Sequence, residues 1–227
     1  MPSLTQLLTS HDRLLVLDAA SRIVQVGLLR AGFPEAWSKS EEEAGSAIFT
    51  GTESLIDEAG LRMSDIGAFV FCEGPGSMLG IRTSAMAVRT WQLLTPLPAY
   101  AYQSLAVSAR YAWTKSPPRD FAVIADARRN TWHCQSIATN GRMPPLQRVP
   151  DSALPAGELV TPGNFRAWAT PSRPVGICSY DLALIFPVIA GKDFFREIES
   201  PDAFQHDAPE YKKWSAQIHS TLTADKK

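Results

Sequence analysis

Glu73-Gly74-Pro75-Gly76-Ser77-Met78-Leu79-Gly80-Ile81-Arg82 is the stretch that decides how this chain of 227 residues is read. An apolar, β-rich run from Ala68 to Cys72 precedes it, and Ile81, Ala85, Val88 and Leu94 recur behind it at helical spacing. The pattern predicts a strand, a rigid glycine turn and a helix from Ile81 to Leu94. Glycines permit positive φ and close backbone approach, and the first turn of a helix leaves N–H groups unpaired. The loop therefore suits either a bound phosphate or a second backbone packed against it.

Motif spacing narrows the chemistry. Gly-x-Gly-x-x-x-Gly is neither the dinucleotide fingerprint nor a Walker loop, because no Lys-Ser or Lys-Thr follows Gly80. Gly76-Ser77-Met78-Leu79-Gly80 lacks the spacing of a nucleophile elbow, which leaves Ser77 as a loop-stabilising or phosphate-contacting hydroxyl. His11, His133, His206 and His219 are scattered, with no helical pairing and no Cys-x-x-Cys, so no local metal motif is expected. Arg82 sits in the first helical turn, where a cation opposes the helix dipole unless an anion lies near. Glu73, just across the loop, is its expected partner, and a bound phosphate is the alternative.

The composition is that of a globular protein, with 45% hydrophobic and 20% charged residues. Twenty-two basic against twenty-three acidic residues give a net charge of −1, so no overall field draws the chain to nucleic acid or an anionic membrane. Any RNA contact would need a local patch or a partner. Cys72, Cys134 and Cys178 are odd in number and set in or beside apolar runs, which fits free thiols in a reducing compartment. Residues 1–12 lack the basic and apolar regions of a leader, and no run of roughly 18 apolar residues occurs. A cytoplasmic location is expected.

Arg13 to Asp18 and Ile23 to Leu29 read as two strands joined as a hairpin by Ala19-Ala20-Ser21-Arg22. Asp18 then stands at a strand tip facing the turn, where it can orient water or a metal-bound phosphate, or cap its own turn. Ser40-Glu41-Glu42-Glu43 has the form of a capping box for a helix from Glu41 to Ala59, stopped by Gly60, with the glutamates a solvated face. Ser64-Asp65-Ile66 turns the chain into the next strand. Ser84, Ala85 and Ala87 give the helix behind the glycine loop a slim side, which suits close internal packing or a subunit contact. Leu97 to Ala101 is a short strand, and Ser104 is placed to cap a helix to about Trp113.

Thr114-Lys115-Ser116-Pro117-Pro118 interrupts the pattern, and a lobe boundary is expected between Ala101 and Asp120, dividing the chain into 12–103 and 104–220. Phe121 to Ala125 and Thr131 to Ile137 are strands flanking Asp126-Ala127-Arg128-Arg129-Asn130. Val16-Leu17-Asp18-Ala19 matches Ile124-Ala125-Asp126-Ala127, a repeat too widely spaced for a solenoid and consistent with one lobe used twice. Seven prolines fall between Gly141 and Pro174, where only Asn164 to Ala169 suggests a short helix. A strand over Pro174 to Ser179, a helix through Ile189 capped by Asp181, a docking segment at Pro209-Glu210-Tyr211-Lys212-Lys213-Trp214 and a frayed end from Thr221 complete the reading.

Leu15-Val16-Leu17-Asp18-Ala19-Ala20-Ser21, the Gly74-to-Arg82 loop, Tyr102-Gln103-Ser104-Leu105, Asp126-Ala127-Arg128 and Pro209-Glu210-Tyr211 resemble, in order, the TsaB (YeaZ) family, the glycoprotease-like subunit of the bacterial machine that makes threonylcarbamoyladenosine in tRNA. The resemblance covers roughly 14–214, and the loop is its most specific part. It implies an α/β, actin-like ATPase or RNase H-like fold of two related lobes, each a mixed sheet with flanking helices. It also implies a non-catalytic scaffold subunit that pairs with a TsaD-type catalytic subunit and a TsaE-type ATPase, forms a homodimer when alone, meets tRNA only through the complex and touches no membrane.

By position, the resemblance puts the partner surface on Leu79, Thr83, Met86, Ala87 and Thr90 of one helix and Ile48 and Thr52 of the other. Asp18, Ser21, Gly74, Gly76, Ser77, Arg82 and Asp126 are the phosphate- or nucleotide-facing candidates. No cofactor follows firmly; ATP or ADP is the one the loop would take. The chain departs from the family where Ala19-Ala20-Ser21 replaces Thr-Ala/Ser-Thr, where Met78-Leu79 replaces Phe-Thr, where Ala44-Gly45 replaces His-Ser, and where Ser84 and Met86 stand in place of glycine. The lost hydroxyls count against nucleotide binding, and the bulkier helix face bears on partner geometry. The alternative reading is a self-sufficient actin-like ATPase or small-molecule kinase with Asp18, Ser77 and Asp126 around a phosphate; a glycoprotease would need a nucleophile or metal site that the motifs lack.

Overall fold

Leu14 to Leu17 carry no polar side chain, and the strand they build is buried on both faces. The computed structural model of the chain describes residues 1–116 and 119–204. Strand β1 (Arg13–Asp18) pairs antiparallel with β2 (Val24–Arg30), which pairs antiparallel with β3 (Ala36–Ser40). On its other side β1 runs parallel to β4 (Ala68–Gly74), and β4 parallel to β5 (Ala99–Gln103).

Because strand side chains alternate, β1 divides its residues between two cores. Leu14 and Val16 join α1 (Leu4–His11) and α5 (Leu182–Ile189) on one face. Leu15 and Leu17 join α2 (Ala44–Glu58) and α3 (Met78–Leu94) on the other.

The second sheet repeats this plan. β6 (Phe121–Asp126), β7 (Thr131–Ile137) and β8 (Gln147–Pro150) form an antiparallel meander, and β6 runs parallel to β9 (Glu158–Pro162), which runs parallel to β10 (Gly176–Cys178). The orders β3-β2-β1-β4-β5 and β8-β7-β6-β9-β10 are the same order shifted by five strands. The short repeat around Asp18 and Asp126 thus marks two related lobes, each a mixed sheet of the same strand order with flanking helices. Helix α4 (Ser104–Lys115) leads from β5 into the second lobe and packs on β6 and β7.

Several local expectations change. Helix α1 and strands β3, β8 and β9 are additional to the sequence reading. Ser3 and Gln6 form a true capping box on α1, whereas the one expected at Ser40 does not form. Instead Ser40 accepts from the Glu42 N–H, and α2 begins at Ala44 after an N-cap, Glu43, that makes no side-chain cap. Ser104 is the first residue of α4, and its hydroxyl donates to the Pro75 carbonyl, tying the glycine loop to β5.

Residues 164–169 form no helix; the Trp168 and Ala169 N–H groups donate to Asp126 across the sheet instead of to a preceding turn. Nor does a second lobe run unbroken over 104–220. From Leu182 the chain is back on the first sheet, where α5 and Phe195 enter its core and β11 (Arg196–Glu197) extends it beside β5. The expected docking segment at 209–214 and the frayed end lie outside the described residues, as do Pro117 and Pro118.

Candidate functional site: the cleft at the glycine loop

The glycine loop meets a backbone. A Cβ on Gly76 would lie 2.4 Å from the Ala20 carbonyl oxygen, and one on Gly80 would lie 2.2 Å from that of Ala19. The Ser77 N–H donates to the Ala20 carbonyl at 2.7 Å. Gly74, at φ +108°, makes the turn out of β4. The loop's glycines are therefore spent on packing against the β1–β2 turn, the second of the two uses open to them.

The carboxylate expected to face that turn is sealed. Asp18 is 0% exposed, and its Oδ2 accepts from the hydroxyls of Tyr102 and Tyr180, both at 2.6 Å. Its Oδ1 accepts from the Ala20 N–H at 2.9 Å. Burial pushes the Asp18 carboxyl above its ordinary value, opposed by the two phenols and the Ala20 N–H. Burial, and then the Asp18 charge, push both phenols well above theirs. Ser21 is also occupied, since its hydroxyl donates to the Ile23 carbonyl and accepts from the Ile23 N–H.

Glu73 is buried, but its partner is not Arg82. Arg196 Nη2 donates to Glu73 Oε2 at 2.6 Å, and Gln103 donates to Oε1 at 3.3 Å. β11 carries Arg196 to this spot from 123 residues away in sequence. The local clamp expected between Glu73 and Arg82 is thus replaced by one that β11 delivers. Arg82 is exposed and, among the described residues, makes no ion pair.

Arg82 instead lines an open cleft of about 490 Å³ between the lobes, with Gly76, Ser77 and Leu79 on one side and Asp126, Arg128, Arg166 and Trp168 on the other. Asp126 organises the far wall. Its Oδ1 accepts from the Arg128 N–H at 2.6 Å, and its Oδ2 from the N–H groups of Trp168 and Ala169 at 2.6 and 3.0 Å. Burial alone would raise the Asp126 carboxyl, but these three N–H donors outweigh it and hold it below its ordinary value. Of the phosphate-facing candidates, Gly76, Ser77, Arg82 and Asp126 come together here, while Asp18, Ser21 and Gly74 lie buried behind the loop. Among the described residues, no group of three or more His, Cys, Asp or Glu side chains is placed to hold a metal ion.

The partner-surface candidates divide as well. Leu79 and Met86 are exposed, and Thr83 and Thr90 lie on the same face of α3. Ile48, Thr52 and Ala87 are buried, because α2 and α3 turn them toward the sheet and each other. The slim residues Ser84 and Ala85 also point inward, so that side of α3 serves internal packing. Leu93, 87% exposed, extends the outward face, and Phe49 of α2 flanks it with its ring 5.6 Å from that of Trp91. Sequence reasoning missed Tyr180, Arg196, Arg128, Arg166 and Trp168. Of these, Trp168, an aromatic residue in a proline-rich stretch without periodicity, carried a local signal, and Arg128 stood in the quoted Asp126-Ala127-Arg128 motif without a role.

Comparison with known proteins agrees with this architecture. The model of the TsaD family, tRNA N6-adenosine threonylcarbamoyltransferase, matches residues 39–142. The tRNA threonylcarbamoyladenosine biosynthesis protein TsaB of Escherichia coli (strain K12) is 24% identical over 190 residues, which make up 77% of this chain and 81% of that protein. YeaZ from Pseudomonas aeruginosa superposes with a TM-score of 0.62 at 23% identity, over 79% of this chain and 91% of that one. An uncharacterized protein with similarity to peptidase YEAZ, also from P. aeruginosa, gives 0.63 at 21% identity, over 88% and 99%. With the glycine loop seated on the β1–β2 turn and the sheet order repeated in both lobes, the chain has the fold of the YeaZ structures and is similar in sequence to TsaB.

Proposed function

We propose that this chain takes part in threonylcarbamoyladenosine modification of tRNA as a non-catalytic scaffold subunit that docks a TsaD-type transferase through the outward face of α3. The observation that carries the reading is the outward stripe of exposed Leu79, Met86, Thr90 and Leu93 with the half-buried Thr83 between them, flanked by Phe49. Apolar side chains in such a contiguous row mark a contact surface more often than a solvated one. The name of the E. coli relative supports the pathway, and the TsaD-family match over 39–142, which contains both α2 and α3, supports a partner built on the same lobe. A helix face that fits a homologous helix face fits a copy of itself, so the isolated chain forms a homodimer there. A TsaE-type ATPase completes the assembly. The setting is the cytoplasm, which the three free cysteines suit; no helix of the described residues is long and apolar enough to cross a membrane.

Co-purification with the TsaD-type subunit tests the reading. A complex at micromolar concentration, with or without ATP, is expected. Its absence under both conditions sinks the proposal. The self-sufficient ATPase reading gains little from the geometry: Asp18 is enclosed by two phenols, and Gly76 and Gly80 abut backbone carbonyls where a phosphate would sit.

A further inference from the structure

A chain with net charge −1 has no general attraction for nucleic acid, yet its fold gathers arginines from three separate segments around one opening. Arg82 comes from the second turn of α3, Arg128 from the β6–β7 turn, where Arg129 follows it, and Arg166 from the β9–β10 loop. Arg22 stands on the β1–β2 turn, whose backbone N–H donates to the Asn164 carbonyl, two residues before Arg166. All five are exposed, and among the described residues none is within ion-pair distance of a carboxylate.

Among the described residues, the one carboxylate lining the cleft, Asp126, is engaged by three backbone N–H groups. Those same bonds fix an aromatic platform. Trp168 is 66% exposed, its backbone is pinned to Asp126, and the Arg128 guanidinium lies 4.1 Å from the centre of its ring. Arg128, Arg129 and Asn130 all have positive φ, at 67°, 52° and 57°. Three consecutive non-glycine residues in that region carry backbone strain, and the turn they form presents Arg128 to the opening.

We infer that the mouth of this cleft binds single-stranded RNA directly, with Arg82, Arg128 and Arg166 on phosphates and Trp168 stacked against a base. Positive charge that tracks a backbone beside an aromatic face is the chemistry of single-strand binding. A free mononucleotide fits less well. The glycine turn that would cradle its phosphates is packed against Ala19 and Ala20, whereas the exposed Arg129 adjoins Arg128 in its turn and the exposed Arg22 lies on the turn bonded to the loop that carries Arg166. The inference rests on the proposed role in tRNA modification for its choice of RNA, and it adds a direct contact made by this chain.

Fluorescence anisotropy of a labelled single-stranded oligoribonucleotide, titrated with the full chain alone at several salt concentrations, is the test. Binding should weaken as salt rises, with a log–log slope of about −0.7 for each phosphate neutralised. Arg166→Ala and Arg82→Ala should each reduce that slope by about 0.7. Trp168→Ala should weaken binding about ten-fold with the slope unchanged, because stacking releases no counterions. Arg62→Ala, at the opposite end of β4, should change neither, and unchanged melting curves exclude misfolding of the variants. ATP should compete only weakly.

Absence of salt-dependent RNA binding overturns the inference, as do Arg166 and Trp168 variants that bind like wild type. ATP binding as tight as the strand also overturns it. An intact complex with the TsaD-type subunit but no RNA binding removes this inference alone. RNA binding without that complex removes the scaffold proposal instead.

Discussion

Asp18 and Asp126 close equivalent strands, β1 and β6, and each accepts the N–H of the residue two positions on, at 2.9 and 2.6 Å. Beyond that shared turn their fates divide. Asp18 is enclosed by Tyr102 and Tyr180 at the heart of the first lobe, whereas Asp126 stands at the cleft and braces the loop that carries Trp168. One repeated motif has become a core anchor in one lobe and a cleft brace in the other.

The enclosure of Asp18 predicts a pH dependence. Its carboxyl is raised above the ordinary 3.8 by burial, so the folded chain holds that proton more tightly than the unfolded chain. The resulting stability is fully present below the unfolded value and is lost as pH rises through the folded one. Urea midpoints of wild type and Asp18→Asn, measured from acid to neutral pH, should show the wild-type advantage shrinking as pH rises. A difference that stays flat would exclude a raised carboxyl. Tyr102→Phe, which removes one donor from the buried carboxylate, should cost about 1–3 kcal/mol at neutral pH.

Gly80 and Gly191 should respond unequally to the same substitution. Gly80→Ala drives a methyl group toward the Ala19 carbonyl, and the predicted loss is about 1–3 kcal/mol despite alanine's better helix propensity. Gly191→Ala meets nothing within 4 Å among the described residues, so its stability should stay within about 0.5 kcal/mol of wild type. Chemical denaturation of the two variants side by side checks both.

Arg196 and Arg82 separate the real clamp from the expected one. Arg196→Ala strands the buried Glu73 carboxylate, whose remaining side-chain partner is Gln103, and should destabilise by about 1–3 kcal/mol, moderated because Arg196 is half exposed. Arg82→Ala should leave thermal stability within about 0.5 kcal/mol. If the Arg82 variant is the less stable of the two, the assignment of Glu73 to Arg196 is wrong.

Met86→Glu probes the α3 face. The side chain is exposed, so the isolated chain should keep its stability to within about 0.5 kcal/mol. A charge at the centre of the stripe should nonetheless weaken association with the TsaD-type subunit by at least about ten-fold. Gel filtration of the variant with its partner, and alone, reads both contacts. Undiminished association would move the docking surface elsewhere.

Local signals carried far where the physics is local. The β1–β2 hairpin, the helix behind the glycine loop and the cap of α5 by Asp181 follow from alternation, helical spacing and a side chain that reaches the Ala183 N–H two residues on. The doubled lobe was already visible in Asp18 and Asp126, because each must satisfy the same turn. By contrast, β8 and β9 have short, mixed burial patterns within a proline-rich stretch, and only pairing with neighbours defines them. Ile48 and Thr52 show the limit of a helical period, which marks one shared face without saying whether that face meets the protein's own sheet or a partner.

By itself, the sequence determined that the Gly74-to-Gly80 turn must be tight, that a helix follows it, and that its two candidate occupants are a phosphate and a backbone. Tertiary structure chose the backbone. Ala19 and Ala20 reach the loop through parallel pairing of β1 with β4, Tyr102 and Tyr180 close over Asp18 from β5 and from the residue before the α5 cap, and Arg196 arrives on an edge strand. The same assembly places Arg82, Arg128 and Arg166 around one opening. No local pattern encodes these meetings, because each joins residues far apart in sequence whose approach is set by packing the two sheets and the returning C-terminal segment.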